Sequence, residues 1–127
     1  MRTRLIAALA ICALLLSGCV KEVKPLKLET LQDFQTQPIK WRTCFDTLQC
    51  TDVLVPIDYS NIKQGTFKIS VLKHPASNKQ DRIGSMFVNP GGPGASGVEY
   101  AYQAEYIVSP QLLALFDIVG FDPRGVG

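Results

Sequence analysis

"NPGGPGASG", residues Asn89–Gly97, packs four glycines and two prolines into nine positions directly after the apolar run "IGSMFV". A turn of this composition exposes backbone amides with no side chain in front of them. Three chemistries use such a loop. A Walker A phosphate loop needs a lysine and a hydroxyl after its last glycine; Val98 and Glu99 follow Gly97, so the motif is not met. Gly92, Gly94 and Gly97 do spell the G-x-G-x-x-G of a dinucleotide site, with Asp117 at a suitable distance downstream. Against it, Pro93 stands where the backbone must approach a pyrophosphate. Asp117 also opens its apolar run rather than ending it, and Asp122, which does end it, lies farther along. The third chemistry is an oxyanion hole, in which backbone N–H groups stabilise the negative oxygen of an acyl-transfer intermediate by several kcal/mol, about 3 per donor. The surrounding order of elements favours this reading.

Four strand candidates frame the loop. "TDVLVPIDY" (Thr51–Tyr59) alternates loosely and ends in the turn-rich "SNIKQG". "TFKISVLKH" (Thr66–His74) alternates strictly, with Phe67, Ile69 and Val71 on one face, and Gly65 and its neighbours could join the two as an antiparallel hairpin. "IGSMFVN" (Ile83–Asn89) and "FDIVGFD" (Phe116–Asp122) are nearly continuous apolar runs that suit parallel strands covered on both faces. Between them the spacing predicts one helix capped by Ser96, broken at Pro110 and followed by a short turn. Strand, loop, helix and strand form a βαβ unit, so the fold class is α/β.

The 127 residues carry a net charge of +2 and are 46% hydrophobic, a balance that points to neither a nucleic acid nor an acidic substrate. Arg2 and Arg4 precede "LIAALAICALLL", an apolar stretch short for a membrane span, which needs about 20 residues. "LLSGC" then resembles the lipobox of bacterial lipoproteins. That resemblance implies a signal peptide over 1–18 and lipidation of Cys19, with an uncleaved anchor or an ordinary signal peptide as the alternatives. The polar stretch that follows reads as a tether, over 19–38 with the lipidated residue, and the folded region spans 39–127. Several acyl chains at about 0.8 kcal/mol per buried methylene give lasting attachment. Val20 in place of aspartate resembles the enteric pattern of sorting to the outer membrane, facing the periplasm. Cys12 leaves with the signal, and Cys44 and Cys50 remain. In an oxidising compartment a local disulfide before the first strand is the leading reading. Zinc ligation or two reduced thiols are the alternatives, and the chain has one histidine. An exported protein would also lack the cytoplasmic supply of nicotinamide cofactor.

"NPGGPGASG" and "FDIVGFDPRGVG", with "WRTC…C…VPIDY" upstream, resemble the secreted tripeptidyl aminopeptidases of the prolyl-aminopeptidase-like branch of the α/β hydrolases. The likeness runs from about Trp41 to Gly127. It implies an incomplete α/β-hydrolase fold comprising the first strands, the oxyanion loop, the first helix and the fourth strand. It implies a serine peptidase that releases short peptides from a free N-terminus, with esterase activity on small substrates as the close alternative, and neither metal nor organic cofactor. In that fold one oxyanion donor comes from the loop between the third strand and the first helix. Matched to the family's glycine-proline-glycine loop, the N–H of Gly92 is the first candidate donor and that of Gly91 the second. Ala95 departs from the family, whose members commonly carry glycine there.

The family's nucleophile sits in a G-x-S-x-G elbow, followed by an acid and a late histidine. No such elbow occurs here. "GASG" around Ser96 lacks the spacing, so Ser96 reads as a helix cap. His74 precedes the glycine loop and reads as a strand-end or surface residue. Asp58 and Asp122 read as structural, and Arg124 as a partner for local carbonyls or acids. The sequence is accordingly expected to be the N-terminal piece of a longer hydrolase, inactive as an isolated chain. It is also expected to fold poorly alone, with unpaired strand edges and uncovered apolar faces. A non-catalytic lipoprotein or binding module is the rival reading.

Overall fold

Two nine-residue strands carry the sheet. In β3 (Thr66–His74) the residues Phe67, Ile69 and Val71 share one face, while Lys68, Ser70 and Leu72 share the other. It pairs antiparallel with β2 (Leu48–Pro56), from Gln49 opposite Lys73 to Pro56 opposite Thr66. This is the expected hairpin, closed by a 3₁₀ turn at Ile62–Gln64 and by Gly65 at φ 137°. The computed structural model describes residues 26–127. The signal expected over 1–18, the lipid acceptor Cys19 and the start of the tether lie outside the described residues.

The sheet has five strands in the order β1-β2-β3-β5-β4, adding β1 (Arg42–Cys44), β4 (Gly84–Phe87) and β5 (Phe116–Phe121). β4 and β5 run parallel and the other neighbours antiparallel. The α/β reading therefore stands as a mixed sheet with short helices. A fifth strand, β1, joins the four expected from the sequence.

Helices cover one face of this sheet. Leu48, Leu72 and Ala101 form the buried centre there, with Val88, Val98, Cys44 and Cys50 packed around it. On the other face Val53, Val55, Ile69, Val71, Phe87 and Phe121 line an open apolar groove of about 620 Å³. β4 lies at the sheet edge, and Phe87 is 68% exposed. Coverage of both faces, expected for β4 and β5, holds along Asp117–Gly120 of β5, where successive residues are buried, and fails at β4 and at Phe121 among the described residues. The uncovered face and the unpaired edge are found as expected.

The helical segment differs from the single helix expected. α2 (Gly97–Tyr102) ends at Gln103, and a separate turn, α3 (Ala104–Ile107), follows it. Pro110 then starts α4 (Pro110–Leu115) instead of ending a helix, because Ser109 caps it and a first-turn proline gives up no needed N–H. The loop after β3 closes the far end of α4. Amides of Ser77, Asn78 and Ile83 donate to the carbonyls of Leu113, Ala114 and Leu115, which the helix leaves unpaired.

Near the N-terminus, α1 (Leu31–Gln35) is held by a capping box between Thr30 and Asp33. Its Phe34 is buried, and the Gln37 amide bonds both the N–H and the C=O of Leu54. Residues assigned to the tether thus pack on the body. No helix among the described residues is long and apolar enough to cross a membrane. The disulfide joins Cys44 to Cys50, with Cα atoms 5.9 Å apart. It lies inside the β1–β2 hairpin rather than ahead of the first strand. The hairpin loop holds Phe45 and Asp46 at positive φ, and the Phe45 ring stands edge-on to Tyr102 at 5.1 Å. The covalent tie and this aromatic contact keep that left-handed turn against α2.

α2 rests directly on β5 through two glycines. A Cβ on Gly120 would overlap the Gly97 carbonyl and come within 2.7 Å of the Ala101 Cβ, and one on Gly97 would overlap the Phe121 carbonyl. Backbone meets backbone here, so neither side can yield. Gly120→Ala is expected to cost about 1–3 kcal/mol, the range for an overpacked core, read as a lower thermal midpoint.

Candidate functional site

The glycine loop leaves β4 at Val88, whose N–H donates to the Val119 carbonyl at 2.9 Å. Gly91, Gly92 and Gly94 then adopt φ of 83°, 145° and 86°, and the Gly92–Pro93 peptide is cis. Glycine tolerates these values where residues with a Cβ do so rarely. At Gly92 space is short as well: a Cβ would lie 2.8 Å from the Gly94 nitrogen and 3.3 Å from that of Ala95. The loop folds its own amides in beside the Gly92 α-carbon. With Phe121 and Pro123 it encloses a cleft of about 460 Å³.

The two candidate donors are not equivalent. The Gly91 N–H is already bonded to the Asn89 side-chain oxygen at 2.9 Å. Among the described residues the Gly92 N–H has no acceptor. A donor kept free at a cleft is what stabilising a developing oxyanion requires. The amides of Gly94 and Ala95, which converge on Gly92, escaped the sequence reading. The positive-φ run that gathers them shows only in the folded backbone.

The remaining residues fall into place around this loop. Ser96 caps α2: its Oγ accepts from the Glu99 N–H at 2.9 Å and donates to Asp122 Oδ1 at 2.7 Å. Asp122 is 6% exposed and also accepts from the Val98 N–H at 3.1 Å. Arg124 donates to the Ile57 carbonyl at 2.9 Å and lies over the rings of Tyr59 and Phe67, at 5.2 and 5.7 Å. It pins the turn after β5 to the end of β2. Asp58 bonds the N–H and hydroxyl of Ser60, a local turn.

His74 ends β3, as expected, but is largely enclosed rather than on the surface. Its Nε2 lies 3.5 Å from Glu105 and its Nδ1 is buried without a partner. The structure does not bring His74, Ser96 and an acid together. Among the described residues no three His, Cys, Asp or Glu side chains cluster as metal ligands would.

Asp117, the acid a dinucleotide site would have used, sits opposite Ser85 at the start of β5, the end away from the glycine loop. Burial alone would raise its carboxyl. The Arg82 guanidinium at 2.8 Å, the Ala76 amide at 2.9 Å and the Lys73 ammonium at 3.9 Å outweigh burial and hold the pKa below the ordinary carboxylate range. Lys73 is itself seated over Trp41, 4.4 Å from the ring centre. The network ties the loop before β4 to β5.

No family model matches the chain. Among curated proteins it is 35% identical over 129 residues to the serine protease Hip1 of Mycobacterium tuberculosis, a match covering 94% of this chain and 24% of that protein. It is 46% identical over 82 residues to carboxylesterase B of the same species, covering 64% of this chain and 15% of the relative. A tripeptidyl aminopeptidase of Streptomyces coelicolor is 33% identical over 98 residues, covering 70% and 18%. The chain thus spans about a quarter or less of the length of these relatives. Their names support a family of hydrolases and peptidases, more narrowly serine hydrolases, and the mixed α/β sheet is compatible with a partial α/β-hydrolase fold.

The folded-state pKa of Asp117 lies below its unfolded value. Its stabilising contribution is therefore complete above the unfolded carboxyl pKa of about 3.9 and lost as pH falls through the folded one. Asp117→Asn should cost about 1.5–3 kcal/mol at neutral pH, the usual worth of hydrogen bonds to a charged group. In thermal unfolding across pH, the gap to wild type should narrow below about pH 4.

Proposed function

We propose that this chain supplies the oxyanion loop of an exported, lipid-anchored serine hydrolase that releases short peptides from a free N-terminus. The observation that carries the reading is the free Gly92 amide at the cleft between β4 and α2, beside an engaged Gly91 amide. In this mechanism a serine from outside this sequence attacks the acyl carbon. A histidine, also from outside it, takes the serine proton and returns it to the leaving amine. The Gly92 N–H donates to the carbonyl oxygen as it becomes negative. Neither a metal nor an organic cofactor has a part in these steps.

A second reading, esterase activity, is favoured by the 46% identity to the relative named carboxylesterase B. The same amide would stabilise the tetrahedral intermediate of an ester. The complete protein, as encoded by its gene, is expected to react with a fluorophosphonate probe and to release chromophore from a tripeptide anilide faster than from a short-chain ester. The reverse preference would favour the esterase. Absence of labelling would leave a non-catalytic lipoprotein. Gly92→Ala forces a Cβ onto the Gly94 nitrogen and should slow labelling about 10²-fold, the cost typical of losing an oxyanion donor.

The anchor is Cys19, which holds the protein at the bacterial cell envelope, at the outer membrane facing the periplasm in a Gram-negative host. Cys19→Ser should move the protein from the membrane pellet to the soluble fraction and abolish incorporation of labelled fatty acid. Retention of both would remove the anchor from the reading.

A further inference from the structure

The glycine loop makes few contacts of its own, so something else must hold it. Between Asn89 and Ala95 the described hydrogen bond within the loop is the one from the Gly91 N–H to Asn89. Both ends of the loop are fastened to β5 and the residue just after it. At the entry, the Val88 N–H donates to the Val119 carbonyl. At the exit, the Ser96 hydroxyl and the Val98 N–H both donate to Asp122 Oδ1. Asp122 in turn donates its own N–H to the Ser70 carbonyl of β3, at 3.1 Å. A Cβ at Gly127 would lie 2.8 Å from Asp122 Oδ2, so the turn after β5 closes over the other side of the carboxylate.

We infer that Asp122, acting through Ser96, is a positioning pair that sets where the glycine loop presents its amides. The inference rests on the proposed oxyanion role of that loop. Buried carboxylates accept hydrogen bonds strongly, and one that receives two from a single segment restrains it in two directions. Its backbone bond to β3 makes the restraint rigid, since β3 lies inside the sheet. A loop of glycines has large conformational freedom to lose. Without the exit clamp its amides would sample positions away from the cleft, and a displacement of about 1 Å is enough to cost about 10²-fold in rate.

The test compares Asp122→Ala, Asp122→Asn and Ser96→Ala in the complete protein. Two readouts are used: amide hydrogen exchange by mass spectrometry and steady-state turnover of a small ester. In Asp122→Ala, exchange across 96–100 should rise at least about tenfold, because the Val98 N–H loses its carboxylate acceptor and the Glu99 and Tyr100 amides lose a Ser96 held in place by it. Exchange across 110–118 should stay at the wild-type level. Turnover should fall about 10²-fold with KM within about twofold. Asp122→Asn keeps an oxygen acceptor and should recover most of both losses. Ser96→Ala keeps the Val98 bond and should fall between.

Equal loosening of 96–100 and 110–118 would reduce the pair to a general structural role and overturn the inference, as would unchanged exchange and turnover. If Asp122→Ala does not fold, Asp122→Asn and Ser96→Ala decide on the same readouts. If the wild-type protein turns over no ester or peptide, the functional reading fails. The exchange data then still decide whether Asp122 fixes the loop.

Discussion

The arrangement depends on one contact, the backbone of α2 lying on the backbone of β5 at Gly97 and Gly120. Packed elements usually meet through layers of side chains, stacked sheets at about 10 Å and helix axes at about 8–10 Å. Here two missing Cβ atoms remove that layer, and the first turn of α2 sits directly on the strand. The contact brings the Val98 amide and the Ser96 hydroxyl within bonding distance of Asp122, two residues beyond Gly120. It thereby fixes the C-terminal end of the glycine loop. The third glycine of the G-x-G-x-x-G pattern thus has a packing reason that needs no nucleotide.

Much of this was legible in the sequence because it is written in local pattern. The strict alternation of Thr66–His74 yields a strand with those bounds, and the glycine-rich turn falls between a parallel strand and a helix as its composition implies. Ser96 as a cap follows from its place before an amphipathic run. Pro110 is ambiguous in the sequence because proline both ends helices and starts them. The choice turned on Ser109, whose side chain and carbonyl bond the amides of Leu112 and Leu113. β1 was hidden for a different reason. Three residues are too few to show a period, and its pairing with β2 is tied by the Cys44–Cys50 disulfide, which the sequence, with zinc ligation and reduced thiols as alternatives, does not settle.

At the candidate site, composition could nominate Gly91 and Gly92 but not rank them. The ranking depends on which amide a neighbouring side chain has taken, and Asn89 takes that of Gly91. A structural role for Asp122 is legible, but its partner is not, because nothing in "FDPRG" signals a residue 26 positions earlier. A link of that kind exists only once the sheet has set its strand order. The acid at Asp117 shows the converse. Its spacing suits a ribose contact, yet the parallel register puts it at the other end of β5, where Arg82 and Lys73 occupy it.

The open face of the sheet bears on the same site. Phe121 and Pro123 line both the glycine cleft and the apolar groove, so the cleft stands where the covered and uncovered faces meet. Phe87 and Phe121 remain 68% and 45% exposed there, beside the unpaired edge of β4. Buried, a phenylalanine contributes about 1.5–3 kcal/mol, and a contiguous apolar face of this kind is uncommon on a free-standing domain. The described residues form one wall of the cleft and leave the adjoining apolar face open. Under the proposed oxyanion role, β5 fixes the donor amides through both ends of the glycine loop. Donors act only if fixed before the charge develops, and a nucleophile attacks only if held about 3–3.5 Å from the acyl carbon, so the position of this loop constrains every other group of such a site.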